Sequence, residues 1–413
     1  MRTITNLRDL ADQLQGRHGM MQSAACEPAL IGRQLVECAE AISPFRLSNF
    51  MPLVDCPYVA GEAAQHIETR TPLPGKALGA AVNDGRVGLY RHSLWTHANK
   101  LSARDITVDV VFLQLAPPGP DGLFRLGPSC DVMVEALAHD PLTIAVINPT
   151  FPVLPGSPVI HAEQIDYLLH DTAAIGILPP AAVDDVDRAV ADNVMSLLED
   201  GIALEVGIGA VPEAVIARAQ NLRGITAHMG LVNDAVLNLL DSGALSCEGT
   251  ITGTLAAGSQ DFYRRLHQEP RLILRSALKT NSVERIARLD RFHAVNGALQ
   301  VDLFGNVNGE RLGKRIVSCP GGLADFAAGA QKSAGGKSII ALRSRARGRA
   351  HPTIVPVLDS DQPTLAGDGV DFVVTEYGIA EISGASREER RKAMIAIAHP
   401  EDRPHLAMQP SNG

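Results

Sequence analysis

The sequence predicts an α/β protein built from two related open domains, and three observations support this. Short apolar runs such as Thr143–Ile147, Ile202–Val206 and Ser338–Leu342 are each too short for a buried helix. These runs alternate with helical patterns, which predicts βαβ units and open, mostly parallel sheets. Aromatic residues make up only 4% of a chain that is 46% hydrophobic, a composition that suits helices packed on parallel strands.

The third observation is a pattern that recurs along the chain. The segments QSAACEPALIGRQL and GIGAVPEAVIARAQ both place small residues and a proline before an alanine-rich helix, and Pro28 and Pro212 lie 184 positions apart. Two later strands each run into a glycine turn, and their glycines, Gly122 and Gly305, lie 183 positions apart. The nearly equal spacings indicate an internal duplication.

We expect the domain boundary within residues 178–182, which gives an N-terminal domain of residues 1–180 and a C-terminal domain of residues 181–413. A helix over Val183–Leu198 follows the two prolines at this boundary and carries acidic residues in its first turns, as a helix start prefers. The residues after Pro400 resemble a frayed tail.

Composition excludes several function classes. The net charge of −9 argues against general nucleic-acid binding. The six cysteines, Cys247 among them, form no CxxC pair, and no HxxxH spacing occurs, so neither a disulfide framework nor a metal site is expected. No apolar run reaches the length of a membrane span, and the first residues lack the apolar core of a signal peptide. A soluble cytoplasmic protein is the default expectation.

The segment VNGALQVDLFGNVN, Val295–Asn308, is the most informative part of the chain. Within it, a strand-like run over residues 298–303 stops before Gly305, and a glycine-rich turn, Cys319–Gly322, follows shortly after. This layout predicts one polar side chain, Gln300, held at a strand end beside exposed backbone N–H groups. Such an arrangement suits acyl chemistry.

This segment and several others resemble the acetyl-CoA hydrolase/CoA-transferase family, which includes 4-hydroxybutyrate CoA-transferases. The other segments are APPGPDG, VINPTFPVLPGSPVIHAEQID, LEVGIGAVPEAV, PGGLADF, GGKSIIAL, VTEYGIA and IAIAHPEDR, so the resemblance runs from about Met20 to His399. It implies two α/β domains of the CoA-transferase type with the active site in the cleft between them. It also implies an enzyme that binds acyl-CoA or coenzyme A across the second domain and moves CoA between carboxylic acids. Relatives form dimers or larger assemblies, which makes a homo-oligomer an expectation.

In that family the position of Gln300 is usually a glutamate, the nucleophile that forms an acyl-glutamyl anhydride and then a glutamyl-CoA thioester. An amide oxygen is a far poorer nucleophile, so three interpretations stay open. The protein is a binding-only relative, or another carboxylate such as Glu310 or Asp302 replaces the glutamate; Asp302 has the same strand parity as Gln300. Alternatively, hydrolysis or direct acyl transfer proceeds without a covalent intermediate while Gln300 donates a hydrogen bond to the thioester oxygen.

The resemblance also assigns roles to two glycine-rich segments. The turn at Gly321 and Gly322 is similar to the family's oxyanion turn, whose glycines let backbone N–H groups approach a developing oxyanion. Cys319 beside it is a nucleophile if its pKa is lowered, or a small buried thiol that fills space. The loop GIGAVP leads into a helix and is suited to cradle a phosphate or thioester.

Arg343, Arg345, Arg347 and Arg349 occupy every second position, and guanidinium groups pair well with the phosphates of CoA. A solvated basic loop or a charged interface patch is the alternative. The predicted cofactor-binding residues are Gly207, Ile208, Gly209, Ala210, Gly322, Lys337, Arg343 and Arg345, and the predicted catalytic residues are Gln300, Cys319, Gly321 and Gly322.

Overall fold

The computed structural model describes residues 1–246, 249–348, 351–359 and 363–409, so Cys247 and Arg349 lie outside the described residues. The chain forms two compact units. One contains Met1–Pro179 and Thr252–Thr280, and the other contains Pro180–Ile251 and Asn281–Gly413. The chain passes from the first unit to the second within the segment expected from the sequence. The second unit, however, is not continuous, because residues 252–280 return to the first.

The first unit is built on an eight-stranded sheet. Its strands and helices before residue 180 are β1 (Arg2–Thr3), α1 (Ala11–Leu14), β2 (His18–Met21), α2 (Ala29–Cys38), β3 (Phe45–Ser48), α3 (Ala63–His66), β4 (Ile67–Thr71), α4 (Gly75–Asn83), β5 (Val87–Leu89), α5 (Leu94–Ser102), β6 (Val110–Leu115), β7 (Phe124–Arg125), α6 (Met133–Leu137), β8 (Leu142–Ile147), β9 (Val159–Ile160) and β10 (Tyr167–His170). The order in the sheet is β1-β10-β8-β6-β2-β3-β4-β5, and every neighbouring pair is parallel.

The chain after residue 180 begins the second unit and then supplies the returning segment. The elements are α7 (Asp185–Met195), β11 (Ala203–Val206), α8 (Ala210–Ala219), β12 (Thr226–His228), β13 (Leu231–Val232), α9 (Asp234–Asp241), β14 (Ile251–Gly253), β15 (Leu255–Ala256), α10 (Gln260–Leu266), β16 (Leu272–Leu274) and α11 (Ala277–Thr280). The returning segment packs with the first unit because its backbone N–H groups find acceptors there. Ala256 N donates to Pro128 O at 2.7 Å, and Ala277 N donates to Asp131 O at 2.7 Å. Such long-range pairing leaves no signal in local sequence patterns.

The remaining elements complete the second unit. They are α12 (Val283–Ile286), β17 (Phe292–Asn296), β18 (Gln300–Asp302), β19 (Val307–Asn308), β20 (Arg311–Leu312), β21 (Arg315–Ile316), α13 (Leu323–Lys332), β22 (Lys337–Ala341), β23 (Ile354–Val355), β24 (Phe372–Thr375), β25 (Gly378–Glu381), α14 (Arg387–Ile397) and α15 (Arg403–Met408). Within this unit the strands run in the order β12-β11-β17-β22-β24-β25, all parallel except the last pair.

The two units repeat one topology, which confirms that the domains are related. Five strands of the first unit, β10-β8-β6-β2-β3, correspond in chain order and sheet order to β24-β22-β17-β11-β12 of the second. The backbone just beyond the central strand is equivalent too. Gln22 N donates to Phe112 O at 2.9 Å, and Gly207 N donates to Val295 O at 2.9 Å.

The core of the second unit is formed by clusters of buried apolar side chains from elements that precede and follow β17 in the chain. Phe292 and Ala294 of this strand pack with Phe326 and Ala330 of α13. A second cluster joins strands β18, β22 and β24 to helices α14 and α15, where Leu406 is 2% exposed. The expectation of a frayed tail after Pro400 is therefore wrong, because α15 buries an apolar side chain in this core.

Two properties of the described part of the chain bear on function. No helix there is both long and apolar enough to cross a membrane. No group of three or more His, Cys, Asp or Glu side chains among the same residues is arranged to hold a metal ion.

Candidate active site

A cavity of about 480 Å³ opens at the carboxyl ends of three neighbouring strands of the second unit, and we call it the edge cavity. Its walls come from the loops that leave β11, β17 and β22, and from the segment around β20 and β21. The lining side chains are mainly apolar and include Ile208, Val211, Pro212, Ala298, Leu299, Leu312, Val317, Ala341 and Leu342. Ligands of open α/β sheets bind beyond the carboxyl ends of the strands, and this volume is typical of a small-molecule site.

The loop between β11 and α8 forms one wall of the edge cavity. Gly209 precedes α8 and has a φ of +123°, a backbone conformation that residues other than glycine rarely adopt. Ile208 before it is 54% exposed and lines the cavity together with Gly209 and Ala210. The first N–H groups of a helix have no partner within the helix, so this wall offers hydrogen-bond donors and a positive dipole end to a ligand. The structure thus places these three predicted residues at one site.

Gly207 lies beneath this loop and does not line the edge cavity. A Cβ atom at this position would lie 3.0 Å from Asn296 Oδ1. Asn296 in turn donates from Nδ2 to Glu205 Oε2 at 2.7 Å, and Glu205 is only 2% exposed. Burial raises the pKa of Glu205 to about 8, so this carboxyl group holds a proton at neutral pH. Sequence reasoning missed this pair, although one acidic residue inside the apolar run IALEV is a readable signal.

Gln300 begins β18 and is half-buried beside the edge cavity. Its Oε1 accepts a hydrogen bond from Asn308 Nδ2 at 3.1 Å, across the antiparallel pair of β18 and β19. Asn308 Nδ2 also donates to Arg311 O at 2.7 Å. Ala298 and Leu299, just before Gln300, line the cavity, whereas Gln300 does not. Because its oxygen is engaged by Asn308, the Nε2 of Gln300 is the group that remains to donate to a ligand.

The turn at Cys319–Gly322 starts next to the edge cavity and ends at helix α13. Val317 N and Ser318 N donate to Glu310 O at 2.7 and 3.1 Å, and Ser318 lines the cavity. Cys319, Gly321 and Gly322 do not line it, and Cys319 is 5% exposed. Gly322 directly precedes α13, where a Cβ atom would lie 2.7 Å from Asn281 Nδ2, so only glycine fits without displacement. Their roles in an oxyanion site and the reactivity of Cys319 stay predictions.

Asp302 and Glu310, the alternative carboxylates, are both committed to structural hydrogen bonds. Asp302 Oδ1 accepts from Phe304 N at 2.9 Å and from Asn306 N at 3.0 Å, and its Oδ2 accepts from Asn306 Nδ2 at 2.9 Å. Glu310 Oε1 accepts from Thr364 Oγ1 at 2.9 Å. Neither lines the edge cavity, and both are buried. The structure therefore does not offer either carboxylate as a substitute for a glutamate at position 300.

The alternating arginines do not form a row on one strand, because β22 ends at Ala341 and a loop follows. Arg343 and Arg347 both line the edge cavity. Arg343 Nη1 donates to both carboxylate oxygens of Asp184, at 2.9 and 2.8 Å, and lies 3.3 Å from Asp187 Oδ1. Arg347 pairs with the same two carboxylates, 3.1 Å from Asp184 Oδ2. The hydrogen bond from Arg343 holds the pKa of Asp184 well below its usual range.

Arg345 does not line the edge cavity, and its role in binding CoA stays a prediction. Its Nε and Nη2 donate to the two oxygens of Asp402 at 2.9 and 2.7 Å, while Nη1 donates to Glu401 Oε2 at 2.7 Å. Hydrogen bonds to these carboxylates raise the pKa of Arg345. All three nitrogens of the guanidinium group thus donate to the segment that precedes α15.

Lys337 is likewise not brought to the edge cavity. It is the first residue of β22, whereas the cavity lies beyond the last residue of this strand, Ala341. Five residues of a strand span on the order of 13 Å, so the lysine lies toward the opposite end of the sheet. There its Nζ donates to Leu197 O at 2.7 Å. A role of Lys337 in binding the cofactor stays a prediction.

Comparisons with known proteins agree with this architecture. Residues 6–179 match the family model of the acetyl-CoA hydrolase/transferase N-terminal domain, and residues 258–409 match that of its C-terminal domain. The 4-hydroxybutyrate coenzyme A transferase of Clostridium kluyveri is 30% identical over 93% of this chain and 91% of its own length. The butyryl-CoA:acetate CoA-transferase of Anaerostipes caccae is 31% identical over 72% of this chain and 71% of its own. The crystal structure of RipA from Yersinia pestis has the same fold, with a TM-score of 0.90 at 24% identity, over 98% of this chain and 96% of RipA.

Proposed function

This chain belongs to the acetyl-CoA hydrolase/transferase family, and from that premise we propose that it transfers CoA from an acyl-CoA to a carboxylic acid through the edge cavity. The observation that carries the proposal is the position and lining of this cavity. It is an apolar space of about 480 Å³ that ends at a glycine loop and a helix start. An apolar channel suits the pantetheine arm and acyl chain of a thioester, and the helix start suits an oxygen that gains negative charge.

Two groups beside the edge cavity are suited to act on the thioester. The turn at Gly321 and Gly322 begins just after Ser318, which lines the cavity, and its part in the proposal is to supply backbone N–H groups to the thioester carbonyl. Gln300 follows Leu299, which lines the cavity, and its Nε2 is left to donate because Asn308 engages its oxygen. Both are hydrogen-bond donors, and donors aimed at the carbonyl oxygen stabilise the tetrahedral intermediate of acyl transfer.

A reaction without a covalent glutamyl intermediate fits an amide at position 300. The acceptor carboxylate attacks the thioester carbonyl carbon, the C–S bond breaks, and a mixed anhydride and CoA thiolate form. The thiolate then attacks the other carbonyl carbon of the anhydride, which releases the donor acid as its carboxylate and gives the new thioester. In this reaction Gln300 only donates a hydrogen bond, and loss of one such donor typically lowers the rate about 100-fold or more.

Mass spectrometry of the products tests the function directly. Purified protein is incubated with several short acyl-CoAs, each with and without acetate. Acetyl-CoA formed from a non-acetyl donor supports transfer between carboxylic acids. Free CoA that forms equally without acetate supports hydrolysis instead, and acyl-CoA that binds but stays unchanged with every donor supports a binding-only role.

Two substitutions at position 300 test the part assigned to the amide. Gln300→Ala removes the donor and is expected to lower kcat by about 100-fold with little change in KM. Gln300→Glu supplies a carboxylate that can act as a nucleophile, and a trapped glutamyl-CoA thioester is expected in this variant only. Unchanged kcat in Gln300→Ala would show that this side chain takes no part in the reaction.

A further inference from the structure

A short basic hairpin projects beside the edge cavity. Strands β20 and β21 pair antiparallel, with Arg311 opposite Ile316 and Leu312 opposite Arg315, and Gly313 and Lys314 form the turn. Its three cations, Arg311, Lys314 and Arg315, are all exposed. Among the described residues, no ion pair involves any of them. We call this segment, residues 311–316, the basic hairpin.

The basic hairpin is anchored at its base, so its place beside the cavity is defined. Asn308 Oδ1 accepts from Arg311 N at 3.0 Å while Asn308 Nδ2 donates to Arg311 O at 2.7 Å. After the hairpin, Val317 N donates to Glu310 O at 2.7 Å. Leu312 and Val317 line the edge cavity although each is 41% exposed, which places the hairpin at the cavity mouth.

The cations of the basic hairpin differ from the arginines inside the cavity in one decisive respect. Arg343 and Arg347 face two carboxylates, Asp184 and Asp187, so the charges of this group balance. An anionic ligand must compete with those carboxylates for the guanidinium groups. At the hairpin no such competition exists among the described residues, and the positive charge is available to a ligand that extends out of the cavity.

We propose that the basic hairpin recognises the phosphate groups of the CoA substrate through Arg311, Lys314 and Arg315, an inference that rests on the proposed function. Coenzyme A is an apolar arm joined to a diphosphate and a 3′-phosphate. An apolar cavity with exposed cations at its mouth matches this order of groups. Arginine binds phosphate through paired N–H donors, and lysine binds it as a compact charge. Leu312, between the cations, covers the arm.

The test compares two variants of equal charge. One carries Arg311→Gln, Lys314→Gln and Arg315→Gln. The control carries Arg285→Gln, Arg288→Gln and Lys332→Gln, three exposed cations of the same unit that do not line the edge cavity. Each is assayed with an acyl-CoA and with the matching acyl-pantetheine, which lacks every phosphate. Binding of CoA and of inorganic pyrophosphate is measured by calorimetry at low and high salt.

The hairpin variant is expected to raise KM for acyl-CoA roughly 10-fold or more and to lose most of the salt dependence of CoA binding. Its KM for acyl-pantetheine and its kcat stay unchanged, and the control variant behaves as the parent. An unchanged KM for acyl-CoA overturns the inference while leaving CoA transfer intact. Equal losses with acyl-pantetheine overturn it too, because they indicate damage to the cavity wall. A parent protein that neither binds nor converts acyl-CoA refutes the proposed function first.

Discussion

The two central strands, β2 and β11, end in equivalent backbone but in opposite environments. The residue that follows β2, Gln22, is completely buried. Its Nε2 donates to Leu126 O at 2.7 Å and to Ser129 O at 3.2 Å, and its Oε1 accepts from Gln114 N at 2.8 Å. The residue that follows β11, Gly207, has no side chain, and the next residue is the exposed Ile208.

The difference continues along the two loops. After β2, Glu27 is 2% exposed and accepts from Asn49 Nδ2 and from Tyr58 Oη, both at 2.8 Å. After β11, Pro212 lies on the wall of the edge cavity. The first unit therefore fills the end of its central strand with its own hydrogen-bonded side chains, whereas the second leaves that space open. In this duplicated fold, the filling distinguishes the edge that stabilises the protein from the edge that is proposed to bind a ligand.

Gln22→Ala tests this difference between the two units with the largest expected effect. The substitution leaves two carbonyl groups and one N–H group buried without their partner, and each loss costs about 1–3 kcal/mol. We expect the free energy of unfolding to fall by about 3–5 kcal/mol, measured by urea denaturation. Ile208→Ala is the matched control at the end of β11, which we call the open edge. This substitution should change the free energy of unfolding by roughly 0.5 kcal/mol or less. Similar losses in both variants would contradict the distinction between a filled and an open edge.

Glu205→Gln tests the charge state beneath the open edge. Burial raises the pKa of Glu205 from 4.5 to about 8, so between these values the folded protein holds a proton that the unfolded chain has lost. The free energy of unfolding therefore falls as pH rises through this window and levels off above it. Because of this group, we expect the free energy of unfolding of the parent to fall by about 2–3 kcal/mol between pH 6 and pH 9. The variant should not show this fall.

A comparison within the first unit sharpens this pH experiment. Burial raises the pKa of Glu27 to about 7, so its contribution to the pH dependence ends about one pH unit earlier. In Glu27→Gln, urea denaturation should show a smaller fall in the free energy of unfolding below pH 7 than in the parent. Between pH 7 and pH 9 the fall should be the same in both proteins. If the stability difference between parent and Glu205→Gln is the same at pH 6 and pH 9, Glu205 does not hold a proton at neutral pH.

Gly209→Ala tests the backbone that opens the edge cavity. A φ of +123° costs alanine about 1–2 kcal/mol of strain, and relief of that strain moves the start of α8. We expect this loss of stability together with a severalfold rise in KM for acyl-CoA. Gly85→Ala is the control, because Gly85 also has positive φ, at +76°, with nothing near its Cβ position. Equal effects of both substitutions on KM would show that the loop geometry does not matter for binding.

The fold and the loop of the open edge were predictable because their signals are local. Short apolar runs and the repeated spacing of Pro28 and Pro212 indicate two related α/β domains, and a glycine loop before a helix indicates a ligand edge. Pairing between distant residues left no such signal. The return of residues 252–280 to the first unit depends on hydrogen bonds to acceptors more than 100 positions away.

The contacts of the arginines were unpredictable for the same reason. Their alternation is visible in the sequence, but the partner of each guanidinium group is a carboxylate far along the chain. Arg343 meets Asp184 across 159 positions, and Arg345 meets Asp402 across 57. Cations on the basic hairpin, by contrast, flank a glycine turn and lie within five positions of one another. The alternating pattern therefore predicts one shared role for arginines that the fold pairs with different carboxylates.

Arg345→Gln carries the smallest expected effect and separates a structural arginine from a binding one. The side chain joins the loop after β22 to Glu401 and Asp402, and it is 23% exposed. A partly buried ion pair near the surface contributes on the order of 1 kcal/mol, so the substitution should lower Tm by a few degrees and leave KM for acyl-CoA unchanged. Arg343→Gln, whose guanidinium lines the edge cavity, serves as the comparison and should raise that KM. A higher KM in Arg345→Gln with unchanged Tm would return this arginine to the binding site, because a purely structural contact acts on stability before it acts on affinity.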